Sequence, residues 1–373
     1  MKLTFFSNFM NHHQLPFCLE MVKVLGDDFK FVATKQIPDE RIKLGYEDMN
    51  SKYDFVVSAY KDVELAKKLA IESDIVIFGE APNFYLRLRK DKITFRYSER
   101  IFKSRFSIRS LIGMILRNYN LNKDYNYLLC ASAYAAKDYN MFNFFKNRTY
   151  KWGYFPEVKK YDNIEKLINN KNDNSILWVG RFIEWKHPEI MIDVAKFIKA
   201  NNLKYKITMI GEGVLKNDIK KCILDNNLEN FIEVYDSMSP QNVRKYMEKS
   251  KIFLFTSDRH EGWGAVLNES MNSGCIVIAN NTIGSVPYVI SNGKNGFKYK
   301  SIDELYSILL NISSNNIDCY TISKNAYETI SKIWCPEEAA KRFLQMAKNI
   351  LENKEIDNLF VTGPLSPDFE KRS

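Results

Sequence analysis

The feature that most constrains this chain is an alternation that runs through it twice. Short apolar runs of strand length are separated by stretches with helical spacing, first over residues 1–155 and again from residue 175. In the first pass "KLTFFS", "FKFVAT", "DFVVSAY", "DIVIFGE" and "YNYLLCAS" read as strands, while residues 15–25, "DVELAKKLAIES" and residues 133–145 read as helices. Runs that are apolar throughout suit strands buried on both faces. Strands of that kind joined by helices make βαβ units and a parallel sheet. In the second pass "SILWVGRF", "YKITMIGEG", "NFIEVYD", "KIFLFTS", "CIVIANN" and "GFKY" read as strands. Among the helices between them is "HPEIMIDVAKFIKAN", with apolar residues at 190, 191, 194, 197 and 198. The others are "LKNDIKKCILDN" and "SPQNVRKYMEKS", where Ser239 is placed to cap the helix and Pro240 to open it.

Between the passes, "WGYFPEVKKYDN" and the polar run to 174 break the pattern. Pro156 cannot donate to a ladder and the polar run offers no apolar face, so 156–174 reads as a linker. At 373 residues the chain exceeds what one core usually serves. The expected organisation is an N-terminal domain 1–155, the linker, and a second domain 175–335. A helix 336–352, opened by Pro336, can cross back to the first domain, and a tail 358–373 rich in Pro, Ser and charge is expected to be poorly ordered. The fold class is α/β, two Rossmann-like doubly wound domains facing across a cleft, with ligands beyond the carboxyl ends of the strands.

Six scattered cysteines form no C-x-x-C pair, so reduced thiols and a cytoplasmic setting are expected. "MKLTFFSNFMNHHQ" is too short in apolar residues for a signal peptide, and no run reaches the roughly 18 apolar residues of a membrane span. The net charge of +9 is concentrated: from Phe84 to Asn120 ten Lys or Arg stand against Asp91 and Glu99, interleaved with aromatics such as Phe95, Tyr97 and Phe102. A basic, aromatic segment suits an anionic membrane surface or a nucleic acid, and the first is the expectation here. If 99–117 is helical, Ile101, Ile108, Leu111, Ile112, Ile115 and Leu116 share one arc, with Arg100, Lys103 and Arg117 opposite and Arg105 and Arg109 interrupting it. The plainer reading is a core-facing helix with a basic outer face.

The stretch "HEGWGAVLNESMNSGC" follows a strand and leads into a helix closed by Gly274. Glu261 then lies in the connecting loop and Glu269 about one turn into the helix. Gly262 and Gly264 let backbone approach a ligand, and amides near 264–267 suit phosphate. A Glu pair alone is ordinarily two solvated carboxylates. Taken in order, however, "VGRFIEWKHPEIMIDVAK", "IGEG", "SDRHEGWGAVLNESMNSGCIVIANNTIGSVP" and "NGKNGF" resemble the donor domain of retaining glycosyltransferases of family 4, of the type that builds bacterial surface polysaccharides. The resemblance is dense over 175–300 and looser over the first 155 residues.

That resemblance implies the GT-B fold and a metal-independent hexosyltransferase without a cofactor, the nucleotide sugar (a UDP-sugar by expectation) being a co-substrate. The implied acceptor is a saccharide, in this type a polyprenyl-diphosphate-linked oligosaccharide, for capsule, O-antigen or exopolysaccharide synthesis at the inner face of the cell membrane. The implied catalytic residues are Arg181 and Lys186, clasping the donor diphosphate, and Glu261, holding hydroxyls of the transferred sugar. Glu269 would accept from the ribose, and Gly211 and Gly213 would keep a strand end open. Gly180, Gly262, Trp263, Gly264, Ala265 and Val266 complete the donor-binding set. There are departures: Gly284-Ser285 stands where a Gly pair is common, Tyr288 where Glu is frequent, and the first loop lacks a Gly-rich turn. The late N-terminal His of the family is also missing, which leaves His12, His13, Ser98 and Glu99 as acceptor-side candidates. No D-x-D occurs and the four His lack ligand spacing, so no metal is expected; no nucleic acid partner is expected either, because the basic segment 84–120 suits a core-facing helix or an anionic lipid surface better. The alternatives are a nucleotide-sugar epimerase of GT-B fold and a non-enzymatic basic lipid-binding module.

Overall fold

The structure, a computed structural model, describes all residues except 40, 41, 43–46, 104–111, 113–122, 358 and 370–373. It divides into two compact units, Met1–Glu157 with Trp334–Ser373, and Val158–Ile333.

The first unit is built on a seven-stranded sheet of β1 (Leu3–Ser7), β2 (Phe29–Ala33), β3 (Val56–Ser58), β4 (Ile75–Phe78), β5 (Thr94–Ser98), β6 (Asn126–Cys130) and β7 (Thr149–Lys151). Their order is β3-β2-β1-β4-β5-β6-β7, and every pairing is parallel. β1, β4 and β6 are buried at every position, as unbroken apolar runs covered on both faces require.

β5 was not legible, because it lies inside the basic aromatic segment. Phe95 on β5 and Tyr85 on the helix Asn83–Arg87 are core residues. Arg89 is 3% exposed, and its guanidinium donates to the carbonyls of Ala70, Ser73, Asp74 and Ile93 and to Thr94 Oγ1 at 2.7–3.3 Å. Burial pulls its pKa down to about 10, which still leaves it charged at neutral pH. Arg96 donates to Gly79 O at 3.2 Å and lies over the Phe78 ring. These two cations therefore satisfy backbone carbonyls of the sheet and are withdrawn from the membrane-facing set expected of 84–120. Of the helix expected over 99–117, all but 99–103 and 112 lies outside the described residues.

The helix Pro336–Leu351 packs in the first unit, with the Phe343 ring centroid 4.8 Å from that of Phe95, 5.9 Å from Trp152 and 6.4 Å from Phe17. Of the tail expected to be poorly ordered, 358 and 370–373 lie outside the described residues, whereas residues 365–368 are held by β7. Lys151 N–H donates to Ser366 O at 2.9 Å, Leu365 N–H to Lys151 O at 2.7 Å and Asp368 N–H to Thr149 O at 2.9 Å. Composition argues for poor order, but β7 is an edge strand with unpaired backbone groups, and the tail satisfies them.

The second unit holds β8 (Asn172–Val179), β9 (Lys206–Ile210), β10 (Ile232–Tyr235), β11 (Ser250–Phe255), β12 (Ile276–Asn280) and β13 (Phe297–Tyr299) in the order β10-β9-β8-β11-β12-β13, again all parallel. Ser239 caps the helix Pro240–Lys249 through Asn242 N–H. Within the expected linker, Asn163 caps a helix Ile164–Asn169 and β8 already begins at Asn172, so those polar residues serve as caps and strand end. Among the described residues no helix is long and apolar enough to cross a membrane. The strand order reverses between neighbours β8 and β11, and their carboxyl ends form the switch point of this sheet.

Candidate active site

The loops leaving β8 and β11 are joined by hydrogen bonds before any charged group is considered. Trp178 Nε1 donates to Thr256 Oγ1 at 2.9 Å, and Thr256 Oγ1 donates to Lys186 O at 2.7 Å. Asp258 N–H donates to Trp185 O at 3.0 Å. Thr256 and Ser257 are buried, so these bonds are made away from water.

On that frame Lys186, in the single 3-10 turn Glu184–Lys186, forms an ion pair with Glu261. The two side chains are only 13% and 11% exposed, and Ser257 Oγ donates to the same Glu261 oxygen at 3.1 Å. The Lys186 ammonium also lies 4.6 Å from the Trp185 ring centroid and 5.8 Å from that of Phe255. Arg181 is exposed, with its guanidinium 5.5 Å from Trp185. Among the described residues Arg181 makes no ion pair. Arg181 and Lys186 thus share one indole, and Glu261 joins them through Lys186. Trp185, Thr256 and Ser257 were missed by the sequence reading, although Trp185 stands between Arg181 and Lys186 in the quoted motif.

Gly211 and Gly213 have a different reason from the one expected. A Cβ at Gly211 would lie 1.9 Å from Gly180 O, and one at Gly213 2.4 Å from Phe182 O. Gly180 N–H bonds Ile210 O at 3.1 Å and Phe182 N–H bonds Glu212 O at 2.8 Å. The strand end after β9 is not held open: it closes on the loop carrying Arg181. Glycine is needed because the approaching surface is backbone.

Trp263 is a second correction. Its indole is fully buried and donates from Nε1 to Asn268 Oδ1 at 2.8 Å, so it supports the loop from beneath and does not line a donor pocket. An aromatic beside glycines can face either way, and here apolar burial decided. Gly262 and Ala265 are buried too, while Gly264 and Val266 are half-buried where the helix Val266–Asn272 begins. Gly264 takes φ +77, with Phe255 Cζ 2.3 Å from where a Cβ would stand. Gly284 N–H donates to Glu261 O at 3.2 Å, which fixes the backbone of that residue from the far side.

Glu269 is half-buried, and among the described residues its carboxylate has no hydrogen bond or ion pair. Burial pushes its pKa up, with Arg244 opposing. Such a group lacks donors in the free protein.

The acceptor-side candidates belong to the first unit. The rings of His12 and His13 lie 3.8 Å apart, and His13 stacks on Tyr154 at 6.0 Å. Tyr154 Oη donates to Glu99 at 2.5 Å, and Lys103 pairs with the other Glu99 oxygen. Ser98 Oγ lies 3.0 Å from Tyr139 Oη and donates to Glu99 O at 2.8 Å. Tyr154 thereby brings His13 and Glu99 into one cluster. Among the described residues no three His, Cys, Asp or Glu side chains are grouped to hold a metal ion.

Residues 159–329 match the family of glycosyl transferases group 1. An uncharacterized glycosyltransferase of Methanocaldococcus jannaschii is 30% identical over 172 residues, which cover 46% of this chain and 47% of that protein. The capsular polysaccharide biosynthesis glycosyltransferase CapH of Staphylococcus aureus is 33% identical over 138 residues, 34% of this chain and 38% of CapH. The chain spans less than half the length of these curated relatives. The crystal structure of Anabaena HepE in complex with UDP superimposes with a TM-score of 0.66 at 16% identity, covering 95% of this chain and 99% of that one. The stretch that matches the group 1 glycosyl transferases, residues 159–329, includes the turn bearing Lys186 and the loop bearing Glu261, in a chain whose two parallel-sheet domains have the GT-B fold.

Proposed function

We propose that this chain is a retaining glycosyltransferase of family 4, which moves a hexose or related sugar from a UDP-sugar to a saccharide acceptor in bacterial surface-polysaccharide synthesis. The observation that carries the reading is the Lys186–Glu261 pair beside Arg181, at the switch point of the matched domain. Negative charge develops on the diphosphate as the sugar leaves. An arginine fork and an ammonium stabilise that charge in the transition state more than in the ground state. In the free site the Lys186 charge is held by Glu261. An arriving diphosphate competes for the ammonium and releases the Glu261 carboxylate to accept from sugar hydroxyls. With retention of configuration, the departing phosphate lies close to the acceptor hydroxyl and takes its proton, so little is asked of a protein base. Because the cations neutralise the diphosphate, turnover should be unchanged by excess EDTA.

Glu269 is assigned to the ribose. An ionised carboxylate accepts from both hydroxyls, whereas protonation removes acceptor capacity. Its raised pKa means that UDP affinity is present above that elevated value and is lost as pH falls through it, starting above the ordinary 4.5. Glu269→Gln should bind UDP roughly tenfold more weakly at neutral pH and lack that acidic limb, as calorimetric titration would show.

A lipid-linked acceptor, polyprenyl-diphosphate in this reading, implies a peripheral enzyme on the cytoplasmic face of the membrane. The reading is tested by a thermal-shift screen against uridine, guanosine and adenosine diphosphate sugars, followed by product analysis with and without acceptor. A product of retained anomeric configuration that forms only with acceptor is expected. Isomerised donor in its absence would point to an epimerase, and no stabilisation by any nucleotide sugar would sink the reading.

A further inference from the structure

One carboxylate spans the two loops of the site without a role above. Asp258 is half-buried between Ser257 and the Glu261 turn. Its Oδ1 accepts from the His260 N–H at 2.8 Å and lies 2.8 Å from His260 Nδ1, which shapes its own loop. Its Oδ2 reaches the other loop, 3.3 Å from Nε2 of His187, the residue after Lys186. Backbone bonds bracket it: Asp258 N–H to Trp185 O at 3.0 Å, and Glu261 N–H to Asp258 O at 3.1 Å. His187 takes φ +49, and its Nδ1 lies 2.6 Å from Glu189 Oε1.

We propose that Asp258 is a positioning residue for sugar transfer, its carboxylate tying the turn that carries Lys186 to the loop that carries Glu261 and so setting the spacing between cation and sugar-binding carboxylate. The proposal rests on the donor-site reading given above. Lys186 has a flexible stem, so where its ammonium sits depends on where its turn is held. A displacement of about 1 Å in a reacting constellation costs up to ~100-fold in rate.

The link is charged under ordinary conditions. Burial acts to raise the Asp258 carboxyl, but hydrogen bonds from His260 and His187 outweigh it and hold the group below the usual carboxylate range. Burial acts to lower His187, but Glu189 and Asp258 outweigh it and leave the imidazole raised. Glu189 and Asp258 face His187, and His260 faces Asp258. The imidazolium donates to Glu189 from Nδ1 and to Asp258 from Nε2; the neutral ring has one proton for which the two carboxylates compete, so the wild-type link is complete below the raised His187 value and weakens as pH rises through it. In Asp258→Asn the amide oxygen keeps the His260 bonds and the NH2 faces His187 Nε2, which accepts only when neutral.

The test compares wild type, Asp258→Ala, Asp258→Asn and Lys186→Ala as full chains. It measures kcat, KM and melting temperature with the best-stabilising nucleotide sugar over about pH 6 to 9. Asp258→Ala should lose roughly 10- to 100-fold in kcat, with KM within about threefold of wild type. Asp258→Asn should regain turnover as pH rises and lose it as His187 protonates, an acidic limb that wild type lacks. Wild-type kcat in Asp258→Ala, or an Asp258→Asn profile superimposable on wild type, would overturn the proposal. If Lys186→Ala keeps wild-type turnover, both the donor-site reading and the proposal fall. If it is inactive while Asp258→Ala is unimpaired, only the positioning role is lost.

Discussion

In the proposed reading, which assigns the Lys186 charge to the leaving diphosphate, Lys186→Ala should slow sugar transfer by at least about 100-fold. The same change strands Glu261, whose side chain is 11% exposed and, among the described residues, would keep Ser257 alone as a donor. Breaking a buried ion pair from one side costs about 3 kcal/mol or more. In a unit of this size that is a fall of very roughly 10 °C in melting temperature, which leaves the protein folded at 25 °C. Stability and catalysis are separated by the double variant Lys186→Met with Glu261→Gln. Removing both charges should recover most of the melting temperature and none of the turnover. Steady-state kcat and a thermal melt on each variant decide the matter. Wild-type turnover in Lys186→Ala would remove the basis for the assigned site.

Gly211→Ala should strongly destabilise the second unit. The new Cβ would stand 1.9 Å from Gly180 O, a backbone atom that no rotamer change can move aside, and φ +153 is a conformation L-residues rarely adopt. Relief requires the two loops to part, with loss of the bonds from Gly180 N–H to Ile210 O and from Phe182 N–H to Glu212 O. Two lost backbone bonds and the strain sum to about 3–5 kcal/mol. Gly293→Ala is the control. Its φ of +74 is also positive, near the left-handed region, but nothing lies within 4 Å of the added methyl, so about 1–2 kcal/mol is expected. Urea unfolding of both variants measures the difference. Gly211→Ala should also lose donor affinity, since Arg181 rides on the displaced loop. Equal stabilities for the two variants would refute the steric account.

The strands that could be read from the chain were those buried on both faces, such as β1, β4, β11 and β12, because burial demands an unbroken apolar run. β5 escaped because Arg96 interrupts it, and that arginine is tolerated through a carbonyl partner and an aromatic face contributed by residues distant in sequence. β7 escaped because it has three residues and leans on the tail. Helix ends were more legible than strand edges, since a cap such as Ser239 acts on residues three positions away.

The sequence by itself determined two α/β units and the order of the site motifs, through periodicity and local capping, which are properties of the chain as written. Arg181, Lys186, Glu261 and Glu269 entered as candidates through the resemblance those motifs carry. Only the tertiary structure decided which way each group faces and what closes on what. It buried Trp263, engaged Arg89 in the sheet, gave Gly180 and Phe182 as the partners of Gly211 and Gly213, and set Lys186 against Glu261 with Asp258 bridging beside them. The physical reason is that a side chain's direction and a glycine's neighbour are fixed by contacts between segments far apart in sequence, and β8 and β11 meet only because the sheet reverses its order between them.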